Sequence, residues 1–274
     1  MDRSSQLIIV RGAGDIATGV IHRLHRCGYP VLALETGVPS AIRRKAAFCE
    51  AVYDGVSEVE GVVCKKASKF SEAMELMEEG VVPLLIDGDC EVLKEVRPWA
   101  LVDAILAKKN MGTTRAMADK TIALGPGFQA GEDVDLVIET MRGHNLGRII
   151  GNGSAQPNTG VPGLIGGYSK ERVIHSPATG ILFGRCQIGD RVEKGQQIAV
   201  IVTGKGKVSV EASLTGLLRG LIRDGFPVTN GFKIADIDPR ESEYENCFTI
   251  SDKARALGGS VLEGLLYLEM KQGH

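Results

Sequence analysis

The chain lacks an excess of charge of either sign: 32 Lys and Arg against 34 Asp and Glu leave −2 over 274 residues. That balance gives no reason to expect nucleic acid or an anionic membrane surface as a partner. It also lacks paired cysteines. The six, at positions 27, 49, 64, 90, 186 and 247, form no C-x-x-C and no cluster with histidine, so neither a zinc site nor a disulfide framework is expected. They read as reduced core thiols. No apolar run approaches the roughly 18 residues of a membrane span, and charged Asp2 and Arg3 lead into the first strand, so neither a span nor a signal peptide is expected. The expected location is the cytoplasm. What remains is 43% apolar and 24% charged residues, ordinary for a soluble chain long enough for one large or two ordinary domains.

Against this plain background one pattern is written twice. Residues 179–199, TGILFGRCQIGDRVEKGQQIA, and 215–235, TGLLRGLIRDGFPVTNGFKIA, superimpose without a gap at an offset of 36. Identities fall at Thr179/Thr215, Gly180/Gly216, Leu182/Leu218, Gly184/Gly220, Gly189/Gly225, Val192/Val228, Gly195/Gly231, Ile198/Ile234 and Ala199/Ala235. Glycines at turn spacing and inward apolar positions make a short β-hairpin module. One copy could not bury its apolar face alone; two related by a pseudo-twofold can close on each other.

The order Pro177, Gly180, Gly189-Asp190, Val192, Lys194-Gly195-Gln196 and Ile198 resembles the barrel-sandwich hybrid of biotinyl and lipoyl carrier domains, over Val173 to Asp238. In such carriers the modified lysine lies eleven residues before the glycine opening the second half, which here is Lys205 before Gly216. The local Thr203-Gly204-Lys205-Gly206-Lys207 lacks the Met or acidic neighbours of modified lysines, and a Gly-Lys-Gly tip is ordinary hairpin chemistry. Covalent biotin or lipoate at Lys205 is therefore not expected.

In the N-terminal half, Leu7 to Val10 is an apolar β-branched run followed by Arg11-Gly12-Ala13-Gly14-Asp15-Ile16-Ala17 and an amphipathic stretch ending at Gly28-Tyr29-Pro30. Val31 to Leu34 closes on Glu35. Strand, glycine turn, helix and strand within about 30 residues is the context a dinucleotide-binding turn requires. Gly12 would permit the tight turn, Gly14 would let a phosphate approach the backbone, and Ala17 would let helix and strand pack. The amides through Ala13, Gly14, Asp15 and Ile16 would face an anion, and Glu35 a ribose hydroxyl. A turn without a ligand, with Asp15 as a mere cap, is the bland alternative.

Further strands at Val82–Ile86, Ala100–Val102, Thr121–Leu124 and Leu136–Ile138 alternate with helical segments. The expected class is α/β: a Rossmann-like, mainly parallel, doubly wound sheet, then a small all-β barrel-sandwich hybrid and a C-terminal helix. Ligands would collect at the carboxyl ends of the strands. That rim would hold Gly12–Asp15, Glu35, Asp87–Asp89 and Gly125-Pro126-Gly127-Phe128. Arg43, Arg142 and Arg148 would bring guanidinium groups there for phosphate or carboxylate, and His144 is the one weak candidate for proton transfer. Pairing of these arginines with nearby carboxylates is the alternative. No nucleophile–base pair emerges from spacing.

The expected boundaries are 1–150 for the nucleotide-type domain, 151–172 for a linker or covering loop, 173–240 for the repeat domain and 241–274 for a helix packing back on the first domain or on a second subunit. The segment GNGSAQPNTGVPGLIGGYSK has eight Gly or Pro among twenty residues, and its Asn152, Asn158 and Thr159 could touch a ligand. Ser251 reads as an N-cap for a helix carrying Ala254, Leu257, Val261, Leu265 and Leu268 on one face.

The segments VRGAGDIATGV, LETGVPSAIRRKAAFCEAVYDG, VDAILAKKNMGTTR, ALGPGFQAGEDVDLVIETMRGHNLGR, SAQPNTGVPG and ISDKARALGGSVLEG identify a resemblance to the YqeB-type family of selenium-dependent molybdenum hydroxylase system proteins. The N-terminal half is also similar to the Rossmann-like part of XdhC-type maturation factors, without their extra N-terminal region. The resemblance implies an accessory role: maturing or inserting the molybdenum cofactor, with molybdopterin or its dinucleotide as phosphate-bearing ligand and the apo-hydroxylase or other maturation proteins as partners. It carries over no catalytic residues. An NAD(P)-dependent oxidoreductase and a carrier with a cofactor on Lys205 are the competing readings, and a homo-oligomer is compatible with each.

Overall fold

The computed structural model describes residues 3–158, 160 and 163–272, without the side chain of Gln272. The chain divides into two compact units. Met1–Pro39, Ala47–Thr159 and Ile250–His274 form the first; Ser40–Ala46 and Gly160–Thr249 form the second.

The first unit is built on β1 (Ile8–Arg11), β2 (Val31–Glu35), β3 (Val56–Val59), β4 (Val62–Ala67), β5 (Val82–Ile86), β6 (Ala100–Asp103), β7 (Lys120–Leu124), β8 (Leu136–Ile138) and β9 (Ile149–Ile150). They lie in one sheet in the order β3-β4-β5-β2-β1-β6-β7-β8-β9. The strands from β4 to β8 run parallel, with Arg11 at the end of β1 beside Leu34 of β2 and Asp103 of β6. Their apolar runs are buried nearly throughout, as strands covered on both faces must be. At both edges the direction reverses, β3 pairing antiparallel with β4 and β9 with β8.

Helices are few. α1 (Asp15–Arg26) crosses from β1 to β2, α2 (Ala51–Asp54) is a single turn, and α3 (Phe70–Glu78) joins β4 to β5. Between β5 and β8 the described crossovers contain only the short 3-10 turns Glu91–Lys94 and Arg115–Met117. The expected Rossmann-like doubly wound class is therefore corrected to a mixed sheet with antiparallel edges. Apolar runs and glycine turns reveal strands, but not the hairpin and the return strand that reverse the edges.

α4 (Asp252–Gln272) begins at Ser251, whose Oγ accepts the Ala254 amide at 3.2 Å. It lies against α1 at a contact only glycine allows. A Cβ on Gly19 would stand 2.6 Å from the Ala254 carbonyl oxygen, and one on Gly258 2.5 Å from that of Gly19. Ala254, Leu257, Val261 and Leu265 are buried along the same helix.

The second unit comprises β10 (Val173–His175), β11 (Gly180–Gly184), β12 (Arg191–Val192), β13 (Gln197–Thr203), β14 (Gly206–Glu211), β15 (Gly216–Leu221), β16 (Pro227–Val228) and β17 (Lys233–Asp238). They form two four-stranded sheets, β10-β17-β15-β12 and β14-β13-β11-β16, paired antiparallel throughout. Each copy of the repeat lends its two-residue strand to the other copy's sheet: β12 pairs with β15, and β16 with β11. The repeated Leu182, Val192, Ile198 and Ala199 and their counterparts Leu218, Val228, Ile234 and Ala235 share one core, with Ile42 packed against it. The expected carrier-type barrel-sandwich hybrid is corrected to these two antiparallel sheets, in a unit that also takes in residues 40–46. A repeat reports which residues point inward; it does not report what else joins the core.

The α1–α4 contact yields a stability prediction. Gly19→Ala and Gly258→Ala force backbone apart and each cost about 1–3 kcal/mol. Gly259→Ala, on the same helix with nothing within 4 Å of the added carbon, is neutral or stabilising by up to about 1 kcal/mol. Urea unfolding of the three variants checks this; equal losses at 258 and 259 would refute it.

Candidate functional site

The carboxyl ends of the parallel strands make a rim, and the glycine turn after β1 sits at its centre. Gly12 has φ +96°, and a Cβ there would lie 3.0 Å from the Ala104 carbonyl oxygen, so both conformation and space require glycine. Gly14 is different. Its φ is −65° and a Cβ would meet nothing within 4 Å, so neither backbone nor packing explains the glycine. The turn is strapped from behind: the Cys49 amide donates to Ala13 O at 2.8 Å, and the Phe48 amide to Thr18 Oγ1 at 2.9 Å. The N-cap position of α1 is Gly14, which has no side chain to cap it, and Asp15 stands in the first turn.

Glu35, at the end of β2, folds onto the turn. Its Oε2 accepts the Ala13 amide and its Oε1 the Thr36 amide, both at 2.8 Å. Each oxygen keeps a further lone pair for a ligand hydroxyl.

The remaining expected residues separate. Gly125 (φ +83°) and Gly127 (φ +104°) serve loop packing: a Cβ would stand 2.8 Å from Thr140 Oγ1 at the first and 2.5 Å from Lys109 Cα at the second. Arg142 makes a two-pronged contact with Asp252 at 2.7 and 2.9 Å, which raises its pKa above the ordinary value. Arg148 and His144 are exposed on the segment after β8. Arg43 belongs to the second unit, where it is buried and donates through Nη2 to the carbonyl oxygens of Asn246 and Thr249, both at 2.9 Å. Lys205 is at the exposed tip between β13 and β14, its amide donating to Thr203 Oγ1. Of the Gly/Pro-rich segment, Gln156 donates its amide to Glu139 Oε2 at 2.8 Å, while Thr159 lies outside the described residues.

The rim also holds residues that sequence reading passed over. Arg11 and Asp103, opposed in register on β1 and β6, are 3.7 Å apart with both side chains almost fully buried. Thr113 bridges them, accepting from Arg11 Nη1 at 2.5 Å and donating to Asp103 Oδ2 at 2.6 Å. Arg11 also donates to Gly88 O at 3.0 Å. The signal was a charged residue ending an apolar run, Val10-Arg11 and Val102-Asp103. Lys253 is the second omission. Burial and then Arg142 push its ammonium below the usual lysine range, while Asp15, Glu139 and Asp252 pull it up. The thiols nearby are unreactive by environment: burial and then Glu35 push Cys49 up, and burial chiefly pushes Cys90 up to about 11.

Among the described residues no group of three or more His, Cys, Asp or Glu could hold a metal ion. None of the described helices is long and apolar enough to cross a membrane.

The Arg11–Asp103 pair generates a prediction. Burial raises the Asp103 pKa, against the pull of Thr113, Ile105 and Arg11. A carboxyl whose folded pKa is raised contributes stability below its unfolded pKa and loses it as pH rises through the folded value. Arg11→Met leaves a buried charge unpaired and costs about 3–5 kcal/mol near neutral pH. Urea unfolding at about pH 7 and about pH 4 should show that deficit shrinking in acid; a deficit that grows in acid refutes the pairing.

No family model matches the chain. Solved structures similar to it include the ectoine utilization protein EutE (DoeB) of Ruegeria pomeroyi in its product-bound form, at 12% identity over 85% of each chain with a TM-score of 0.26. A succinylglutamate desuccinylase/aspartoacylase of Rhodobacter sphaeroides follows at 15% identity over 85% of this chain and 86% of that one, TM-score 0.28. An aspartoacylase family protein of Mesorhizobium loti gives 14% identity over 86% of both, TM-score 0.29. The sequence relative is much nearer: the Escherichia coli K12 protein YqeB, described as an uncharacterized protein, is 52% identical over 268 residues, 98% of this chain and 48% of that protein. The chain spans about half the length of the curated relative it matches.

Proposed function

We propose that the first unit binds a phosphate-bearing small molecule at the amino end of α1, and that the protein serves as an accessory factor in the maturation of selenium-dependent molybdenum hydroxylases. Gly14 carries the reading. It is a glycine that neither its φ of −65° nor its surroundings require, standing at the N-cap of α1 beside the first amides of the helix, with nothing within 4 Å of an added carbon. A ligand phosphate needs that space and those amides. The segments resembling the YqeB-type family, and the 52% identity to YqeB, support the accessory role.

Molybdopterin or its dinucleotide fits this donor set. The amides at the start of α1 would take the phosphate, with Lys253, which lies within the field of Asp15, as a cation at the rim, and Glu35 would accept from a ribose hydroxyl. The bound pterin would supply the dithiolene sulfurs that hold molybdenum. The protein's residues bind and orient; Cys49 and Cys90, kept protonated, offer no thiolate for covalent transfer. Arg142 reaches the rim already engaged by Asp252, and Arg43 is engaged within the second unit, so backbone amides and the helix dipole carry most of the attraction for the anion.

Titrating the protein with molybdopterin, and separately with NAD(P), tests the proposal. Molybdopterin should raise the melting temperature saturably. Gly14→Asp should weaken that binding by roughly tenfold or more, about 1.4 kcal/mol or more, while leaving the unliganded melting temperature within a few degrees. Saturable protection by NAD(P) alone favours an oxidoreductase. Unchanged molybdopterin binding in Gly14→Asp, or none in the unmodified chain, sinks the assignment.

A further inference from the structure

At the opposite edge of the same sheet, by the amino ends of the strands, the first unit holds a cavity of about 770 Å3. It is lined by residues entering three neighbouring parallel strands: Leu7 before β1, Tyr29 and Pro30 before β2, and Val81 before β5. Phe70, Met74 and Met77 of α3 form an apolar wall. The size is that of a small-molecule site, and methionine lets such a wall adapt to the body it receives. The anion rim described above lies at the other end of these strands, so the cavity stands independently of that reading.

Two polar atoms set this cavity apart. Tyr29 is 2% exposed, yet its buried hydroxyl has no hydrogen-bond partner among the described residues. Arg3 also lines the cavity, and its Nη1 is likewise buried without a partner among the described residues. The two residues touch: the Arg3 guanidinium carbon is 4.0 Å from the Tyr29 ring centroid, and that ring is stacked on Trp99 at 5.7 Å. Buried donors left without acceptors are costly and rare in folded proteins. Here two of them, one cationic, are held together by ring contacts at the edge of an apolar hollow. Of the other titratable groups facing it, Arg97 is occupied by Asp119 and the Ala116 carbonyl. Glu78 is exposed, and His25 is driven toward its neutral form by burial and then by His22 and Arg26. Of the charged groups lining the cavity, Arg3 is the one with a buried nitrogen left without a partner among the described residues.

We propose that this cavity binds an apolar carboxylic acid, its carboxylate accepting from the Tyr29 hydroxyl and Arg3 Nη1 and its hydrocarbon body lying against Leu7, Phe70, Met74 and Met77. A charged head explains the cation and the hydroxyl, and an apolar body explains the wall.

The test uses the full chain, with decanoate and decanol as probes followed by displacement of anilinonaphthalene sulfonate. Decanoate should bind saturably and decanol roughly tenfold or more weakly, since hydrogen bonds to a charged acceptor are the stronger kind. Tyr29→Phe and Arg3→Met should each weaken decanoate roughly tenfold and leave decanol unchanged. Tyr29→Phe, which removes an unpaired buried hydroxyl, should not lower the melting temperature of the unliganded chain. Met74→Glu should abolish both. Equal affinity for decanoate and decanol, full decanoate affinity in Tyr29→Phe or Arg3→Met, or no saturable binding overturns the proposal.

Discussion

Gly19 and Gly258 let two helices approach until backbone meets backbone, and the composition of the candidate site follows from that contact. α1 is fixed to β1 by the Gly12 turn, where a Cβ would lie 3.0 Å from the Ala104 carbonyl oxygen. α4, held on α1, therefore starts close to where α1 starts. That places Lys253 within the field of Asp15 and Glu139 and sets Asp252 against Arg142, a residue 110 positions earlier. Leu257, Val261 and Leu265, all fully buried, supply the apolar burial that holds the arrangement.

The rim is rich in acids for a place proposed to receive an anion, and the hydrogen bonding shows what those acids do. Glu35 accepts from Ala13 and Thr36, Glu139 from Met141 and Gln156, and Asp103 from Ile105 and Thr113. Each carboxylate orders the loop that leaves its strand, which is how a parallel sheet with few covering helices keeps its carboxyl edge in shape. Arg11 balances part of this charge from below, in a position too buried to reach a ligand. In the proposed reading, attraction for phosphate would come from amides at a helix end, whose geometry does not change with pH.

Much of the local geometry of the candidate site was legible in the chain itself. Gly12-Ala13-Gly14-Asp15 between an apolar run and an amphipathic stretch marked the turn, and Glu35 ending the next run marked its neighbour. The arginines were not legible as partners. Arg43 lies eight residues after Glu35 but donates to carbonyls more than 200 positions away, and Arg142 is satisfied by a carboxylate from the last helix. A guanidinium donates to whichever oxygen the fold presents, and sequence spacing carries no information about that choice. Tyr29 and Arg3 gave no signal at all, since an unpaired hydroxyl is visible only once every neighbour has been placed.

The sequence by itself determined the central strands β1, β2 and β5 to β8, the glycine turn and the doubled hairpin, because apolar periodicity and positive-φ glycines act within a few residues of themselves. Only the tertiary structure decided the rest. It reversed both edges of the first sheet, exchanged β12 and β16 between the repeat copies, and drew residues 40–46 into the second unit. Edge direction and strand exchange turn on which backbone donors and acceptors remain unpaired after the central strands have formed. That inventory belongs to the assembled sheets and to no local stretch of chain.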